Sequence, residues 1–272
     1  MMKPLPILIL SLSTIAGLAG NANAQVLVGP EAFNDLSAWS FDDNGTGFFV
    51  GSTFNIQSPP VNADYFGADN SYLNVGATKD SALALYQTFT SSEVVTLSTK
   101  LYMEGTTTPG DVTTMVMGIG NASLAGGADQ ALHLRFYTQT DSVRVANSDN
   151  TAFFTFNYDT VYNLQIVLNN SASTVNYGDT SAVASLTADI YLDGTLMADD
   201  VNIAHGAYTG GVAGVGEFEF RTFSSVSHSK AVINYDDFSI YQGAIAVPEP
   251  GAYALLAGIF GLGFVMLRRR QS

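Results

Sequence analysis

The 272-residue chain contains no cysteine. A disulfide framework, a thiolate metal site and a cysteine nucleophile are therefore all excluded. Secretion is not excluded, since a domain of this size can be stabilised by its hydrophobic core alone. The hydrophobic content of 47% is sufficient for such a core and argues against global disorder.

Charged residues are also scarce, at 12% of the chain, which is about half of the usual share. Gly, Ser, Thr and Asn take their place, a composition typical of a β protein with many turns and unfavourable for helices. Of 24 acidic and 10 basic residues, Glu249, Lys3 and Arg268 to Arg270 lie outside the range 25–243, which leaves 23 and six. This acidity argues against nucleic acid and anionic membrane surfaces as partners.

The N-terminus has the three parts of a secretory signal peptide. Lys3 supplies positive charge, an apolar stretch runs from Leu5 to Leu18, and Ala22-Asn23-Ala24 matches a cleavage site with alanine at both key positions. We expect the export machinery of a Gram-negative bacterium to remove residues 1–24, so that the mature chain starts at Gln25. The alternative is an N-terminal membrane anchor.

A second apolar stretch, Gly251 to Leu267, is followed by the cluster Arg268, Arg269 and Arg270. As a helix rising 1.5 Å per residue it would span about 25 Å, the short end of what crosses a bilayer. The arginines would remain in the cytoplasm and stop transfer. The precursor is therefore expected in the inner membrane, with its body outside and its C-terminus inside.

Pro248-Glu249-Pro250 precedes this stretch, and its two prolines favour an extended backbone around Glu249. The segment from Val247 to Ser272 contains the motif, the apolar stretch and the arginine cluster in that order. In this combination it resembles the PEP-CTERM sorting domain. The resemblance implies that an exosortase, a membrane protease or transpeptidase, recognises the motif within the segment 244–272. It also implies transfer of the body to the cell surface or an exopolysaccharide matrix. A permanent single-span anchor is the alternative.

Between the two ends, the range 25–243 is predicted to form one all-β domain. Apolar residues recur at period two between turn residues. The predicted strands include Ala82–Phe89, Val94–Met103, Val112–Ile119, Leu132–Tyr137, Val161–Leu168, Leu186–Leu192 and Ala231–Tyr241. Asp193-Gly194 predicts a type I′ hairpin. About a dozen strands are too many for one flat sheet, so we expect two antiparallel sheets packed as a jelly-roll sandwich.

Two stretches in the second half of the body, YLDG at residues 191–194 and DDFSIY at residues 236–241, resemble the concanavalin-like, laminin-G-like sandwich. The resemblance implies a fold that often binds glycans, although a fold does not determine a function.

The strongest candidate for a catalytic site is the stretch Glu217-Phe218-Glu219-Phe220. In a strand, Glu217 and Glu219 would share one face, about 7 Å apart. Paired carboxylates are about 5.5 Å apart in retaining glycosidases and about 6.5–9.5 Å apart in inverting ones. The alternative is an ordinary strand with the glutamates on a solvated face and the phenylalanines in the core. The resemblance to the concanavalin-like fold implies that an enzyme would have a third acid on the same strand. Arg221 and Thr222 follow instead, so we predict no catalytic residue.

Acidic side chains also suggest a structural calcium site. Asp236 and Asp237 precede the end of the last strand, and Asp42 and Asp43 lie in an early turn-rich stretch. Carboxylate oxygens of this kind are calcium ligands, but Asp is equally common in turns. No other cofactor is predicted. The three histidines have no ligand spacing, and Tyr137, Tyr158 and Tyr177 are possible sugar-stacking side chains.

The sequence therefore predicts an exported surface or matrix protein, anchored transiently through its tail, with a sandwich of structural, adhesive or glycan-binding role. Exopolysaccharide is a possible partner. The alternative is a secreted glycoside hydrolase that uses Glu217 and Glu219.

Overall fold

The computed structural model describes twelve ranges or single positions: 24–31, 33, 35–42, 53–57, 65–67, 71–77, 83–105, 112–121, 130–178, 181–203, 214–222 and 231–246. Nearly all of the predicted signal peptide and everything from Val247 onward lie outside them. Within the described ranges no helix is long and apolar enough to cross a membrane.

Seventeen strands make up the described part of the chain. In order they are β1 (Val26–Glu31), β2 (Ser40–Asp42), β3 (Thr53–Gln57), β4 (Tyr72–Ala77), β5 (Leu83–Ser92), β6 (Val94–Met103), β7 (Val112–Gly120), β8 (Gln130–Thr138), β9 (Ser142–Ala146), β10 (Ala152–Asn157), β11 (Val161–Asn169), β12 (Val175–Tyr177), β13 (Ser181–Val183), β14 (Thr187–Leu192), β15 (Thr195–Asn202), β16 (Val215–Thr222) and β17 (Ala231–Gln242).

The strands form two large antiparallel sheets. Sheet A has the order β15-β14-β11-β6-β17-β4-β3, with β1 also paired to β17. Sheet B has the order β10-β9-β8-β7-β16-β5-β2, and β12 and β13 form a separate small sheet. Side chains from the inner faces of sheets A and B share one hydrophobic core. The expected all-β antiparallel sandwich is therefore confirmed.

The predicted hairpin joins β14 to β15. Asp193 and Gly194 have φ values of 49° and 75°, which is the left-handed backbone that a type I′ turn requires at both central positions. The Asp193 Oδ1 atom also accepts a hydrogen bond of 2.8 Å from the backbone N–H of Asn163. The turn is thus attached to the neighbouring strand β11 as well.

Aromatic side chains from β16 and β17 join the two sheets at the centre of the core. The ring centroids of Phe220 and Tyr235 are 4.4 Å apart, and those of Phe218 and Phe238 are 4.5 Å apart. Trp39 stacks on Phe220 at 5.7 Å. All five side chains are at most 5% exposed, so this cluster contributes a large share of the apolar burial that stabilises the sandwich.

A β-bulge in β17 allows two of these aromatics to face inward. Tyr235 and Phe238 are three residues apart, whereas strict alternation would send one of them outward. The register shifts between Asp236 and Ser239, and Asp237 adopts a φ of 48°. This extra residue returns Phe238 to the core side.

Replacing Phe220 with Ala tests the importance of the aromatic cluster. We expect the free energy of unfolding of the full chain to fall by about 3–5 kcal/mol, because a fully buried ring is lost and a cavity remains. Leu196→Ala is the control, since Leu196 is 43% exposed and its loss should cost at most about 0.5 kcal/mol. Urea unfolding measures both; a cost below about 1 kcal/mol for Phe220→Ala would contradict this account of the core.

Candidate functional site

The outer face of sheet B carries polar side chains that the alternation of β16 places there. Phe218 and Phe220 are in the core, at 1% and 0% exposure, so Glu217, Glu219 and Arg221 lie on the opposite face. Glu217 is paired with Gly120 of β7, and Glu219 with Gly118. The shared face expected for the two glutamates is therefore present.

The prediction that the two glutamates lie on a solvated face is wrong. Glu217 is 4% exposed and Glu219 is 1% exposed. Glu219 accepts a hydrogen bond from Gln130 Nε2 at 2.5 Å and forms an ion pair with Arg221, whose Nη2 is 3.1 Å from Glu219 Oε2. A buried carboxylate needs such compensation, since its desolvation is costly.

Glycine at position 118 makes room for the Glu219 side chain. A Cβ atom at this position would lie 2.9 Å from Glu219 Cγ, 3.0 Å from Glu219 Oε1 and 3.2 Å from Gln130 Nε2. The carboxylate therefore lies across the backbone of β7 and reaches Gln130 in β8. Sequence reasoning could not find this contact, because it depends on which strands are neighbours.

Further polar side chains extend the outer face of sheet B across β8 and β9. His133 is paired with Gly118, and Arg135 with Val116. Tyr137 is paired with Arg144, and the Arg144 guanidinium carbon lies 4.1 Å from the centre of the Tyr137 ring. The outer face of sheet B thus combines carboxylates, an amide, an imidazole and guanidinium groups.

A small pocket of about 140 Å³ opens beside this region. It is lined by Ala131, Leu132, His133, Asn147, Ser148, Asp149, Val201 and Asn202. The lining links the start of β8 to the turn between β9 and β10 and to the end of β15. His133 therefore connects the outer face of sheet B to the pocket.

An acidic cluster on sheet A was not identified from the sequence. Ala188 is paired with Val201 and Ile190 with Ala198, so a bulge sets both Asp199 and Asp200 opposite Asp189. One carboxylate oxygen from each of these three aspartates lies within 4.8 Å of the others. The sequence signal for this cluster is the set of aspartates on either side of the Asp193-Gly194 hairpin, with Asp189 before it and Asp199 and Asp200 after it.

The Asp189 carboxylate in this cluster is held by protein groups. It accepts hydrogen bonds from the Tyr177 hydroxyl and, at 2.8 Å, from the backbone N–H of Asp200. Burial raises the pKa of Asp189 above its ordinary value, although the hydrogen bond from Tyr177 opposes this rise. Tyr177, at 3% exposure, is therefore a buried partner of Asp189 and no sugar-stacking surface.

The residues proposed for calcium are divided between the two sheets. Asp42 belongs to β2 of sheet B, whereas Asp236 and Asp237 belong to β17 of sheet A. Asp236 is fully buried, which raises its pKa, and Asp237 forms an ion pair of 2.6 Å with Lys100. Asp43 lies outside the described residues, so the calcium set remains a prediction.

The other sequence-predicted residues fall into two groups. Those outside the described ranges are Ala22, the sorting motif Pro248, Glu249 and Pro250, the arginines Arg268, Arg269 and Arg270, and the histidines His205 and His228. Ala24, at the expected cleavage point, is described and half-buried. Tyr137, at 7% exposure, lies beneath Arg144 and is not an open stacking surface.

Neither a protein-family model nor a curated protein matches the chain. Solved structures do resemble it. The cellulose induced protein Cip1 matches at 12% identity over 79% of this chain and 98% of that protein, with a TM-score of 0.51. A sialidase matches at 14% identity over 75% of this chain and 18% of the sialidase, with a TM-score of 0.45.

The carbohydrate recognition domain of Emp46p matches at 10% identity over 82% of this chain and 97% of that domain, with a TM-score of 0.40. At these identities the comparisons concern the fold alone. Only the match with Cip1 has a TM-score above 0.5, and it agrees with the all-β sandwich described above.

Gly118→Ala tests the packing of Glu219. The added methyl group would displace the Glu219 side chain, and we expect a loss of about 1–3 kcal/mol of unfolding free energy. In a Glu219→Ala background the same change should cost clearly less, because the two closest obstructing atoms are gone.

Gly216→Ala is the matched control for this cycle, since a Cβ atom there meets nothing closer than 3.4 Å. Its cost should be the same in both backgrounds. Equal costs of Gly118→Ala with and without the Glu219 side chain, measured by urea unfolding, would contradict the described contact.

Proposed function

We propose that the chain is an exported surface protein, sorted through its PEP-CTERM tail, whose sandwich binds glycans on the outer face of sheet B. The observation that carries the proposal is the buried polar group on this face, Glu217, Glu219, Gln130 and Arg221. These polar side chains do not belong to the hydrophobic core, and burying each of them costs desolvation energy. A bound ligand with hydroxyl groups would form hydrogen bonds with them.

The chemistry of the polar group suits sugar hydroxyls, which both donate and accept hydrogen bonds. Glu219 offers carboxylate oxygens as acceptors, and Arg221 offers guanidinium N–H donors. Gln130 is fully buried, and its Oε1 atom has no hydrogen-bond partner within the described part of the chain. Because this oxygen has almost no accessible surface, it accepts a hydrogen bond from a ligand hydroxyl only when the Gln130 side chain turns outward on binding.

The position of the C-terminal segment supports the proposed tethering. After β17 the chain turns at Gly243 and crosses the outer face of sheet A. Thr96 donates a hydrogen bond of 2.8 Å to Gly243 O and accepts one of 2.9 Å from Ile245 N, and Gln165 donates to Ile245 O at 3.2 Å. Residues 243–246 are therefore attached to sheet A just before the sorting motif.

This attachment has a consequence for orientation. A tail that leaves from the outer face of sheet A would turn that face towards the membrane. The outer face of sheet B would then point away from it, towards extracellular polymers. Tethering and glycan binding thus use opposite sides of the same sandwich.

A glycoside hydrolase is the second candidate, favoured by the shared face of Glu217 and Glu219. The contacts of Glu219 with both Gln130 and Arg221 support a binding role instead, because this carboxylate is already held by two neighbours. A hydrolase would release reducing sugar ends from the glycan that it binds, whereas a binding protein would leave the polymer intact.

The sorting proposal predicts two processing events in the native host. Intact-mass measurements on membrane and released fractions should find a released chain that starts at Gln25 and ends between Pro248 and Gly251. A chain that retains Arg268 to Ser272 in the membrane, with no released form, would show that the tail is a permanent anchor.

The glycan-binding proposal predicts retention of the full chain on immobilised polysaccharides. Gln130→Ala should weaken binding about five- to tenfold, the equivalent of one hydrogen bond. Gln57→Ala, in β3 of sheet A, is the matched control and should bind normally. Affinity electrophoresis measures both; equal binding by the two variants would contradict a site on sheet B, and release of reducing ends would favour the hydrolase.

A further inference from the structure

The last described segment, residues 243–246, lies across the outer face of sheet A, and we call it the strap. The chain leaves β17 at Gly243, whose φ of 88° is the left-handed backbone that glycine adopts without strain. The Gly243 N–H donates a hydrogen bond of 2.8 Å to the carbonyl of the first residue of β6. The Thr96 hydroxyl of β6 donates to Gly243 O and accepts from Ile245 N. Gln165 of β11 donates to Ile245 O, so the strap crosses β6 and β11 in succession.

Apolar contacts add to these hydrogen bonds. Ala244 is 4% exposed and belongs to a hydrophobic cluster with Val167 of β11 and Tyr177 of β12. A Cβ atom at Gly178, directly after β12, would lie 3.5 Å from the Cβ atom of Ala246. The strap is therefore in contact with folded protein from its first residue to its last.

The strap ends two positions before the proposed sorting motif. Five residue steps separate Ala246 from Gly251, where the apolar stretch begins, and they span at most about 18 Å when fully extended. Proteins that bind an extended segment do so largely through its backbone N–H and C=O groups. In the strap, both groups of Gly243 and both groups of Ile245 are already hydrogen-bonded to sheet A. An enzyme that cuts next to the body thus competes with sheet A for the same backbone.

We propose that the strap regulates removal of the tail, because exosortase acts on the sorting motif only after residues 243–246 have left sheet A. The four hydrogen bonds and the buried Ala244 side chain make the undocked strap the minor form. The fraction of chains with an undocked strap then sets the rate of release from the membrane. This inference rests on the proposed sorting function and adds a regulation of that site.

A disulfide between the strap and the residue that follows β12 tests this regulation. The Cβ separation of 3.5 Å between positions 178 and 246 is at the short end of what a disulfide requires, and the chain has no cysteine of its own. Native-host membranes that contain the full-length Gly178→Cys/Ala246→Cys chain are incubated with and without a reductant, and intact mass measures the released chain. Oxidation should slow release at least about tenfold, because it removes the undocked form, and reduction should restore it. Ala246→Cys alone, treated identically, should be released like the unaltered chain.

Two substitutions in β6 test the same regulation without a cross-link. Thr96→Val removes two hydrogen bonds to the strap and keeps the shape of the side chain, so release should become at least about fivefold faster. Thr99→Val is the matched control, since the Thr99 hydroxyl donates to Asp236 O and not to the strap. Its release rate should change by less than about twofold. Thermal unfolding verifies that each variant is folded.

The outcomes separate this inference from the proposed function. Equal release of the oxidised and reduced double variant would overturn regulation by the strap and leave the sorting proposal intact. An unchanged release rate for Thr96→Val would overturn the regulation as well. If even the unaltered chain is never released, the proposed sorting is itself wrong and the inference fails with it.

Discussion

The packing of Phe218 and Phe220 of β16 against Tyr235 and Phe238 of β17 is the constraint on which the rest of the molecule depends. It joins the central strands of the two sheets through aromatic rings. Because side chains alternate along a strand, the same packing fixes Glu217, Glu219 and Arg221 on the outside of sheet B. The stretch Glu217 to Arg221 therefore contributes both to the stability of the core and to the composition of the candidate site.

The two outer faces of the sandwich differ in their composition. On sheet A, the Tyr177–Asp189 hydrogen bond, the small β12–β13 sheet and the segment 243–246 cover the surface with further protein. A second hydrophobic cluster, which includes Val167, Tyr191 and Ala244, lies there. Sheet B instead carries polar side chains from four neighbouring strands. Its outer face is the one on which we propose that a ligand binds.

Much of the fold follows from local sequence pattern. The strand Val94–Met103 is predicted to the residue, and Asp193-Gly194 forms the expected hairpin because only two residues must adopt left-handed backbone. The shared face of Glu217 and Glu219 follows from strand periodicity. Bulges are harder to predict, since the inward positions of both Tyr235 and Phe238 are determined by packing between the sheets.

The chemistry of the site depends on strand order, which local pattern does not contain. The burial of Glu219 requires Gly118 of β7 and Gln130 of β8 as neighbours, and these are far away in sequence. Arg221, Arg135 and Arg144 lie on one face of sheet B only because β16, β7, β8 and β9 are adjacent. Likewise, local pattern does not show that Asp42 and Asp236 belong to different sheets.

The central claim is that ligands contact the outer face of sheet B. Hydrogen–deuterium exchange of the full chain, with and without a polysaccharide that retains it in affinity electrophoresis, tests it most directly because exchange reports each strand separately. The account predicts slower exchange in peptides that cover β7, β8 and β16, with no change in β11, β14 and β15. Protection confined to β11, β14 and β15, while the polymer is bound, would contradict it.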